Sequence, residues 1–182
     1  MVLALLSLLA APLPAPVVLY AADGSGWGQA CVVGVDEALT AGHVVDAVPA
    51  DKLRWREALG QREGQVTVIS REKDRDLARV RLEGAGGLLP IGRTSTRTPE
   101  PGEDLRISGV AGPRRRPVVI HGRFLWTDDA GDLMIDALTF GGLSGACVID
   151  AEGRVLGVIG GAQTNSSEPW RRSIAYAIRV KR

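Results

Sequence analysis

Three residues that lie far apart in the chain have the types needed to attack a carbonyl carbon. Ser144 lies in Gly-Gly-Leu-Ser-Gly-Ala at 141–146, His43 follows Leu-Thr-Ala-Gly, and Asp76 precedes Leu-Ala. A serine hydroxyl is a weak nucleophile at neutral pH, and it attacks when an imidazole takes its proton and a carboxylate orients that imidazole. The chain order His, Asp, Ser is one of the few orders known for this constellation. The sequence therefore predicts nucleophilic acyl transfer.

The glycines around Ser144 suit a nucleophile loop. Gly141, Gly142 and Gly145 let the backbone turn sharply and let a carbonyl group approach main-chain N–H groups. We expect the N–H groups of Gly142 and Ser144 to form an oxyanion hole. Taken alone, the Gly-x-Ser-Gly pattern is equally typical of a glycine-rich hairpin turn whose serine has no special role.

The general base must come from two histidines, His43 and His121. The sequence around His121, Val-Val-Ile-His-Gly-Arg, favours a partly buried histidine on a strand. His43 follows a predicted strand on a tight turn, where an imidazole can reach a cleft. Because histidine titrates near neutral pH, it is suited to moving protons there.

Asp76 has a rival in Asp74, which belongs to the charged segment 71–75 that indicates a solvated turn. Asp76 lies next to an apolar strand and is therefore the residue more prone to burial. A buried carboxylate needs a partner, and the imidazole of His43 is one.

The elements that must position these residues are predicted to be short strands. β-Branched runs bounded by Gly, Pro, Asp and Asn recur along the chain, which favours an all-β barrel or sandwich. The predicted strands are 17–20, 29–33, 38–41, 66–69, 77–82, 104–110, 117–126, 132–136, 146–149, 155–159 and 173–180, with one helical turn at 42–45. The segment 83–102 is rich in Gly, Pro and Thr, so we expect it to connect two small barrels, roughly 17–90 and 100–182.

A chain of 182 residues is long enough for one domain with a hydrophobic core. Its charge balance gives no reason to expect a nucleic-acid partner. Lys and Arg number 22 against 21 Asp and Glu, a net charge of +1. The one dense basic run, 114–116 between two prolines, indicates a solvated loop, with a substrate-side or phosphate contact as the other interpretation. The spacing of Cys31 and Cys147 fits no zinc site, and two buried inert thiols are the plain interpretation. We expect no metal and no cofactor.

The first residues are apolar over 1–11 and are followed by Pro12, Pro14 and Pro16. The run is too short to cross a bilayer, and no Lys or Arg precedes Lys52 to make the basic start of a signal peptide. A poor signal peptide, the remnant of an anchor and an N-terminal extension packed on the domain are the three interpretations of 1–16. The segment favours export or membrane association over a cytoplasmic or virus-associated protein, with the prolines as a stiff linker.

Taken together, these motifs resemble the trypsin-like, chymotrypsin-fold serine peptidases, and most closely the protease domain of the Deg/HtrA-like branch. The resemblance rests on Leu-Thr-Ala-Gly-His at 39–43, Asp-Leu-Ala at 76–78, Thr-Phe-Gly-Gly-Leu-Ser-Gly-Ala at 139–146, and the segments 24–28, 153–160 and 174–178. It covers about 17–180 and implies two six-stranded β-barrels, with the active site between them. It also implies a catalytic triad of His43, Asp76 and Ser144 and an acyl-enzyme on Ser144.

The chain departs from this family's pattern beside the serine. Leu143 stands where relatives carry Asp or Asn, which argues against activation by a freed N-terminus. Ala146 and Cys147 stand where many relatives carry Gly-Pro. The resemblance also brings the strand of Cys31 close to Cys147, so a disulfide between them is one alternative to free thiols. No peptide-sensing domain is expected after 182.

By the same resemblance, a pocket for the side chain before the scissile bond is expected near Ser144. Leu138 and Thr139 would form its base, Ile174 would fill it from below, and the wall would comprise Ile159, Gly160, Gly161 and Ala162. No acidic residue stands at these positions, which predicts a small or medium apolar side chain in the substrate rather than Arg or Lys. Leu138 and Ile174 as plain core residues are the other interpretation.

Three functions fit the sequence. The first is a serine endopeptidase acting on protein or peptide substrates. The second is a catalytically inactive peptidase-fold module that binds a peptide as an added strand, which the unusual Leu143 and Ala146 would suit. The third is a viral or phage processing protease with the chemistry of the first.

Overall fold

The protein folds into two closed antiparallel β-barrels of six strands each. The structure is a computed structural model and describes residues 16–112, 115–163 and 171–181. The expected all-β fold with two six-stranded barrels is confirmed. The interpretations of the apolar N-terminal segment concern residues outside this part of the chain, apart from Pro16.

The first barrel has the strand order β1-β2-β3-β6-β5-β4 and closes through pairing of β1 with β4. A short helix α1, Gly42–Asp46, follows β3, and 3₁₀ turns occupy Ala50–Lys52 and Lys73–Arg75. Its strands are β1 Val17–Ala21, β2 Trp27–Val32, β3 Glu37–Ala41, β4 Leu53–Glu57, β5 Glu63–Glu72 and β6 Leu77–Leu82.

The second barrel repeats this order as β7-β8-β9-β12-β11-β10, and β7 pairs with β10 to close it. The two halves of the chain therefore fold in the same topology. One buried core cluster fills barrel one and extends to Cys147, Val158 and other residues of barrel two, and a second cluster lies within barrel two. Its strands are β7 Asp104–Ala111, β8 Arg116–Thr127, β9 Leu133–Thr139, β10 Cys147–Ile149, β11 Val155–Gln163 and β12 Arg171–Arg179.

Strand β4 was not predicted from the sequence. Leu53 and Trp55 are buried inside the barrel, whereas Arg54 and Arg56 alternate with them on the outer face. The alternation Leu-Arg-Trp-Arg is the sequence signal that could have identified this strand. The indole N–H of Trp55 donates to the Glu83 carbonyl at 3.0 Å. The tryptophan therefore fixes the strand from inside the barrel.

The prediction for His121 was wrong in one respect. This residue lies on β8 opposite Arg106, but its side chain is exposed rather than partly buried. It lies on the outer face of barrel two and takes no part in the arrangement around Ser144.

The segment between the barrels is attached to barrel two rather than free. Thr94 forms a parallel bridge with Val155, the N–H of Ser95 donates to the Val155 carbonyl, and the N–H of Val155 donates to Arg93, both at 2.8 Å. The connection therefore runs beside β11 before it enters β7.

A buried carboxylate anchors the same connection. Asp150 is fully buried and accepts hydrogen bonds from Arg97 at 2.9 Å and from the Arg154 side chain at 2.6 Å. Burial raises the pKa of Asp150, but the hydrogen bonds from Arg154 and Arg97 outweigh it, so the pKa lies below its usual value. Arg97 also pairs with Glu103 and lowers the pKa of that carboxyl group.

One disulfide joins the two barrels. Cys31 on β2 is bonded to Cys147 at the start of β10, across a sequence separation of 116 residues. The interpretation of these residues as two free thiols was therefore wrong, and the bridge lies three residues from Ser144 along the chain. Among the described residues, no helix is long and apolar enough to cross a membrane.

Replacing both cysteines by alanine should lower the free energy of unfolding by about 2–4 kcal/mol, because the long loop that the bond closes restricts the unfolded chain. Thermal melts with and without dithiothreitol check this. The reductant should lower the melting temperature of the natural protein toward that of the C31A/C147A variant and leave the variant unchanged. A natural protein insensitive to complete reduction would contradict the bridge as a stabilising element.

Arg97→Met should lower the free energy of unfolding at pH 7 by about 1–3 kcal/mol, because it removes a partner of buried Asp150. A carboxylate whose pKa is lowered by folding stabilises the protein above its unfolded pKa, and the effect is lost as pH falls through the folded pKa. The difference should therefore shrink below about pH 4. Denaturant titrations at both pH values measure it.

Arg123→Met is the matched control, since Arg123 is 62% exposed and lies 3.7 Å from Asp104. This variant should change stability by less than about 0.5 kcal/mol. Equal effects of the two substitutions would contradict the anchoring role of Arg97.

Candidate active site

His43 and Asp76 meet at the edge of barrel one that faces barrel two. The imidazole Nδ1 lies 2.7 Å from Asp76 Oδ2, and the backbone N–H of His43 donates to Asp76 Oδ1, also at 2.7 Å. The imidazole side chain is half exposed, and that of Asp76 is 31% exposed. The rival carboxylate Asp74 is exposed, so the structure brings together the pair that the sequence favoured.

The backbone holds this pair in place. His43 enters α1 directly after β3, and the N–H of Gly42 donates to the Asp76 carbonyl at 2.5 Å. Asp76 adopts the left-handed conformation, with φ 52° and ψ 32°, at the end of the 3₁₀ turn before β6. Asp tolerates this region better than most residues.

Arg71 is a positioning residue that sequence reasoning missed. Its guanidinium donates to Asp76 Oδ1 at 3.3 Å and to Asp46 Oδ2 at 2.8 Å, and its side chain is only 17% exposed. The prediction of a solvated turn at 71–75 was therefore wrong for this residue. Hydrogen bonding to Asp46 raises the pKa of Arg71, and the guanidinium in turn lowers the pKa of Asp46.

The residue before His43 must be small because Arg71 runs beneath it. A Cβ atom at Gly42 would overlap the guanidinium of Arg71. The Ala-Gly-His motif therefore has a structural reason here, since it leaves space for the cation that orients Asp76.

The loop that carries Ser144 extends from barrel two onto β2 of barrel one. The N–H of Gln29 donates to the Ser144 carbonyl at 2.8 Å. The Gln29 side chain donates to the Gly142 carbonyl at 2.8 Å and to the Val110 carbonyl at 3.0 Å, and it accepts from the N–H of Val110 at 2.9 Å. Gln29 is 1% exposed, so its amide is a buried linker between the barrels.

Two glycines of the loop meet a steric requirement. Gly145 has φ +87°, and a Cβ atom there would overlap the Gln29 carbonyl oxygen. Gly142 has φ +85°, and a Cβ atom there would overlap the ring of Trp27. Because the loop packs so closely on β2, no other residue type fits either position without displacing the loop.

The main-chain N–H groups of Gly142 and Ser144 make no hydrogen bond with any of the described residues. The neighbouring amides are paired, since Gly145 donates to the Ile159 carbonyl at 2.7 Å and Ala146 donates to Leu143 at 3.0 Å. Unpaired main-chain donors beside a nucleophile are the arrangement that binds a developing oxyanion.

The Ser144 hydroxyl donates to the Gly160 carbonyl at 3.4 Å rather than to the imidazole. Ser144 and His43 nevertheless line one cavity of about 180 Å³ between the barrels. Rotation about χ1 moves a serine hydroxyl between staggered positions, and catalytic hydrogen bonds are often long before substrate binds. The remaining lining residues are Leu19, Tyr20, Gly26, Trp27, Val44, Ala47, Val48, Leu53 and Gly142.

The residues predicted for the substrate pocket lie on β9, β11 and β12. Leu138 is 38% exposed, whereas Ile159 is 1% exposed and packs within barrel two. The side chain of Ile159 therefore belongs to the core of barrel two and offers nothing to a ligand. Thr139 is buried and its hydroxyl is bonded to Ser173, while Ala162 and Ile174 are half-buried.

Tyr176 is a neighbour of Gly160 and Gly161 that sequence reasoning missed. A Cβ atom at Gly160 or Gly161 would overlap or crowd its ring, so both glycines make room for the tyrosine across a bulge between β11 and β12. Burial raises the pKa of Tyr176, and the negative charges of Asp76 and Asp132 add to this. The sequence signal that could have identified Tyr176 is its aromatic side chain, two positions after Ile174.

Gln29→Leu should lower the free energy of unfolding by about 2–4 kcal/mol, since it leaves the Val110 N–H and two buried carbonyls without their partner. Chemical denaturation measures the change. Gln65→Leu, at an exposed position on β5, is the matched control and should alter stability little. Equal stability of the two variants would contradict the role of Gln29 as a buried linker.

The family model described as "Trypsin-like peptidase domain" matches residues 28–158. No curated protein sequence matches the chain significantly. Among the described residues, no cluster of side chains is suited to hold a metal ion.

Three solved structures illustrate the structural likeness. The serine endoprotease from Yersinia pestis has a TM-score of 0.76 at 22% identity, over 92% of this chain and 59% of its own. The HtrA-type protease AlgW, solved with a tripeptide, has a TM-score of 0.77 at 22% identity, over 92% and 56%. The MamO protease domain from Magnetospirillum magneticum has a TM-score of 0.73 at 18% identity, over 92% of both chains.

These likenesses show a shared fold. The chain spans less than two thirds of the Yersinia protease and of AlgW. The resemblance to a trypsin-like protease domain, with HtrA-type proteases among its structural neighbours, is confirmed.

Proposed function

The chain belongs to the family of trypsin-like peptidase domains, which classes it with the serine-type peptidases, and on this basis we propose that it is an endopeptidase that forms an acyl-enzyme on Ser144. The observation that carries the proposal is the 2.7 Å contact between His43 Nδ1 and Asp76 Oδ2, at a cavity that His43 shares with Ser144. Protein or peptide chains are the substrates.

In this mechanism Ser144 Oγ attacks the scissile carbonyl while His43 takes its proton and then gives it to the leaving amine. Asp76 accepts from Nδ1–H of the imidazole, which keeps Nε2 free to act as the base. The oxyanion accepts from the unpaired N–H groups of Gly142 and Ser144. Water then attacks the acyl-enzyme, with His43 again as the base.

The substrate residue before the scissile bond is proposed to have a small or medium apolar side chain. Leu138 and Thr139 carry no charge, and Gly160 and Gly161 contribute only backbone. The hydroxyl of Thr139 is already bonded to Ser173, so it offers little to a polar ligand. The Gly160 carbonyl, which accepts from Ser144, is free to accept from the substrate backbone once the hydroxyl turns to His43.

Export or membrane association is proposed for the chain. The disulfide between Cys31 and Cys147 supports it, because such bonds persist in oxidising compartments and are rare in the cytosol. The apolar residues 1–11 are consistent with the same location.

An inactive peptide-binding module is the second candidate, and one observation favours it. The Ser144 hydroxyl is bonded to the Gly160 carbonyl and not to the imidazole. A binding module would retain this arrangement with a peptide in the cleft, whereas a peptidase would turn the hydroxyl toward His43.

A fluorophosphonate probe distinguishes the two candidates. It should label the natural protein and not Ser144→Ala, because only an activated serine is phosphonylated. Asp76→Asn should reduce kcat for a peptide ester by about 10⁴-fold, through loss of the correct imidazole tautomer. Intact-protein mass spectrometry and steady-state kinetics measure these effects.

Ser25→Ala, at an exposed serine before β2, is the matched control and should label like the natural protein. Absence of labelling in the natural protein, with peptide binding retained, would favour the binding module. Equal labelling of Ser144→Ala would remove Ser144 as the nucleophile.

A further inference from the structure

Tyr20 and Trp27, two aromatic residues that line the cavity beside Ser144, have arginine side chains next to their rings. Apart from Gly142 and Ser144, the lining of the cavity comes from barrel one, and in the described part of the chain none of it belongs to β11. If the acyl part of a peptide runs along β11, as the proposed function requires, the residues after the scissile bond enter this cavity. Its chemistry therefore bears on the leaving-group side of the substrate.

Arg115 of barrel two lies over two aromatic residues that line this cavity. It lies at the tip of the hairpin between β7 and β8, where its φ is +49° and its N–H donates to the Gly112 carbonyl at 2.9 Å. The guanidinium carbon lies 5.4 Å from the centre of the Trp27 ring and 5.8 Å from that of Tyr20. The prediction of a solvated loop at 114–116 was therefore wrong for Arg115.

Barrel one has two more arginines near Tyr20. The guanidinium carbon of Arg56 lies 5.8 Å from the Tyr20 ring centre, and Arg54 pairs directly with Tyr20 between β4 and β1. Burial lowers the pKa of Arg115, and repulsion from Arg56 lowers it further. The cations therefore crowd one another.

Little negative charge balances these three arginines. Within the described residues, Arg54, Arg56 and Arg115 form no salt bridge, and the side chain of Arg54 donates to the Asp51 and Leu53 carbonyls. The nearby carboxylate of Glu63 accepts from the Tyr20 hydroxyl at 3.3 Å. The surroundings of the Tyr20 ring thus have a net positive charge, and the guanidinium groups of Arg56 and Arg115 have no hydrogen-bond partner among the described residues.

We propose that Arg115, assisted by Arg56, makes this site prefer substrates with Asp or Glu within the first two residues after the scissile bond. A guanidinium that lies over aromatic rings keeps its N–H edges open to a carboxylate, which it can bind through two parallel hydrogen bonds. The incoming carboxylate also relieves the repulsion between Arg56 and Arg115. This inference rests on the proposed peptidase activity and assigns its substrate class.

The test uses internally quenched peptides of one sequence that differ only at the two positions after the cleaved bond, which carry Asp, Ala or Lys. The natural protein should cleave the Asp peptides with about fivefold higher kcat/KM than the Ala peptides, and the Lys peptides should be slower still. A small ester of the same acyl group, with no residue after the scissile bond, reports the chemistry alone.

Arg115→Gln should remove the preference and leave ester hydrolysis unchanged, and Arg115→Glu should shift the preference to Lys. Arg116→Gln is the matched control. It removes an equal charge from the adjacent exposed residue at the start of β8 and should retain the preference for Asp. Thermal melts confirm that all variants are folded.

The outcomes separate the two proposals. Normal ester hydrolysis with equal kcat/KM for Asp, Ala and Lys peptides would overturn the inference and leave the peptidase activity standing. No ester hydrolysis and no probe labelling would overturn both. A preference that Arg115→Gln keeps, or that Arg116→Gln loses equally, would overturn the assignment to Arg115.

Discussion

The attachment of the Ser144 loop to β2 is the constraint on which the geometry of the site depends. His43 belongs to barrel one and Ser144 to barrel two, so their separation is set by contacts that cross between the barrels. Gln29 binds the loop through its backbone and its side-chain amide, and the bond from Cys31 to Cys147 ties the following strand to the same β-strand. A loop held at both ends leaves the serine hydroxyl its rotation and little other freedom.

On the barrel-one side of the site, a chain of charged side chains fixes the position of the imidazole of His43. Asp76 holds the imidazole, Arg71 holds Asp76, and Asp46 on the helix of His43 holds Arg71. The arrangement closes on itself, because Asp46 and His43 belong to one short helix. Since Arg71 is largely buried beneath Gly42, the guanidinium is oriented before any substrate arrives, which is the condition for effective electrostatic preorganisation.

Local sequence was enough to favour an all-β barrel or sandwich and to single out His43, Asp76 and Ser144, because short strands, tight turns and glycine-framed loops have local signatures. The six strands of each barrel were predicted from the resemblance to trypsin-like peptidases. Several of the residues that were missed act over long sequence distances. Gln29 bonds to Val110, 81 residues away, and Arg115 stacks on Trp27 of the other barrel. No local pattern distinguishes such side chains from solvated ones, as the charged segments containing Arg71 and Arg115 illustrate.

The two sides of Ser144 are built by different means. On the β11 side, Gly160 and Gly161 provide backbone, and Tyr176 packs against them from the next strand. On the other side, a hairpin tip from barrel two brings a cation to aromatic residues of barrel one. Strands are fixed by the barrel core, whereas hairpin tips vary at little cost to it. Selectivity carried by Arg115 can therefore change by substitution at the tip without disturbing the residues that position His43 or Ser144.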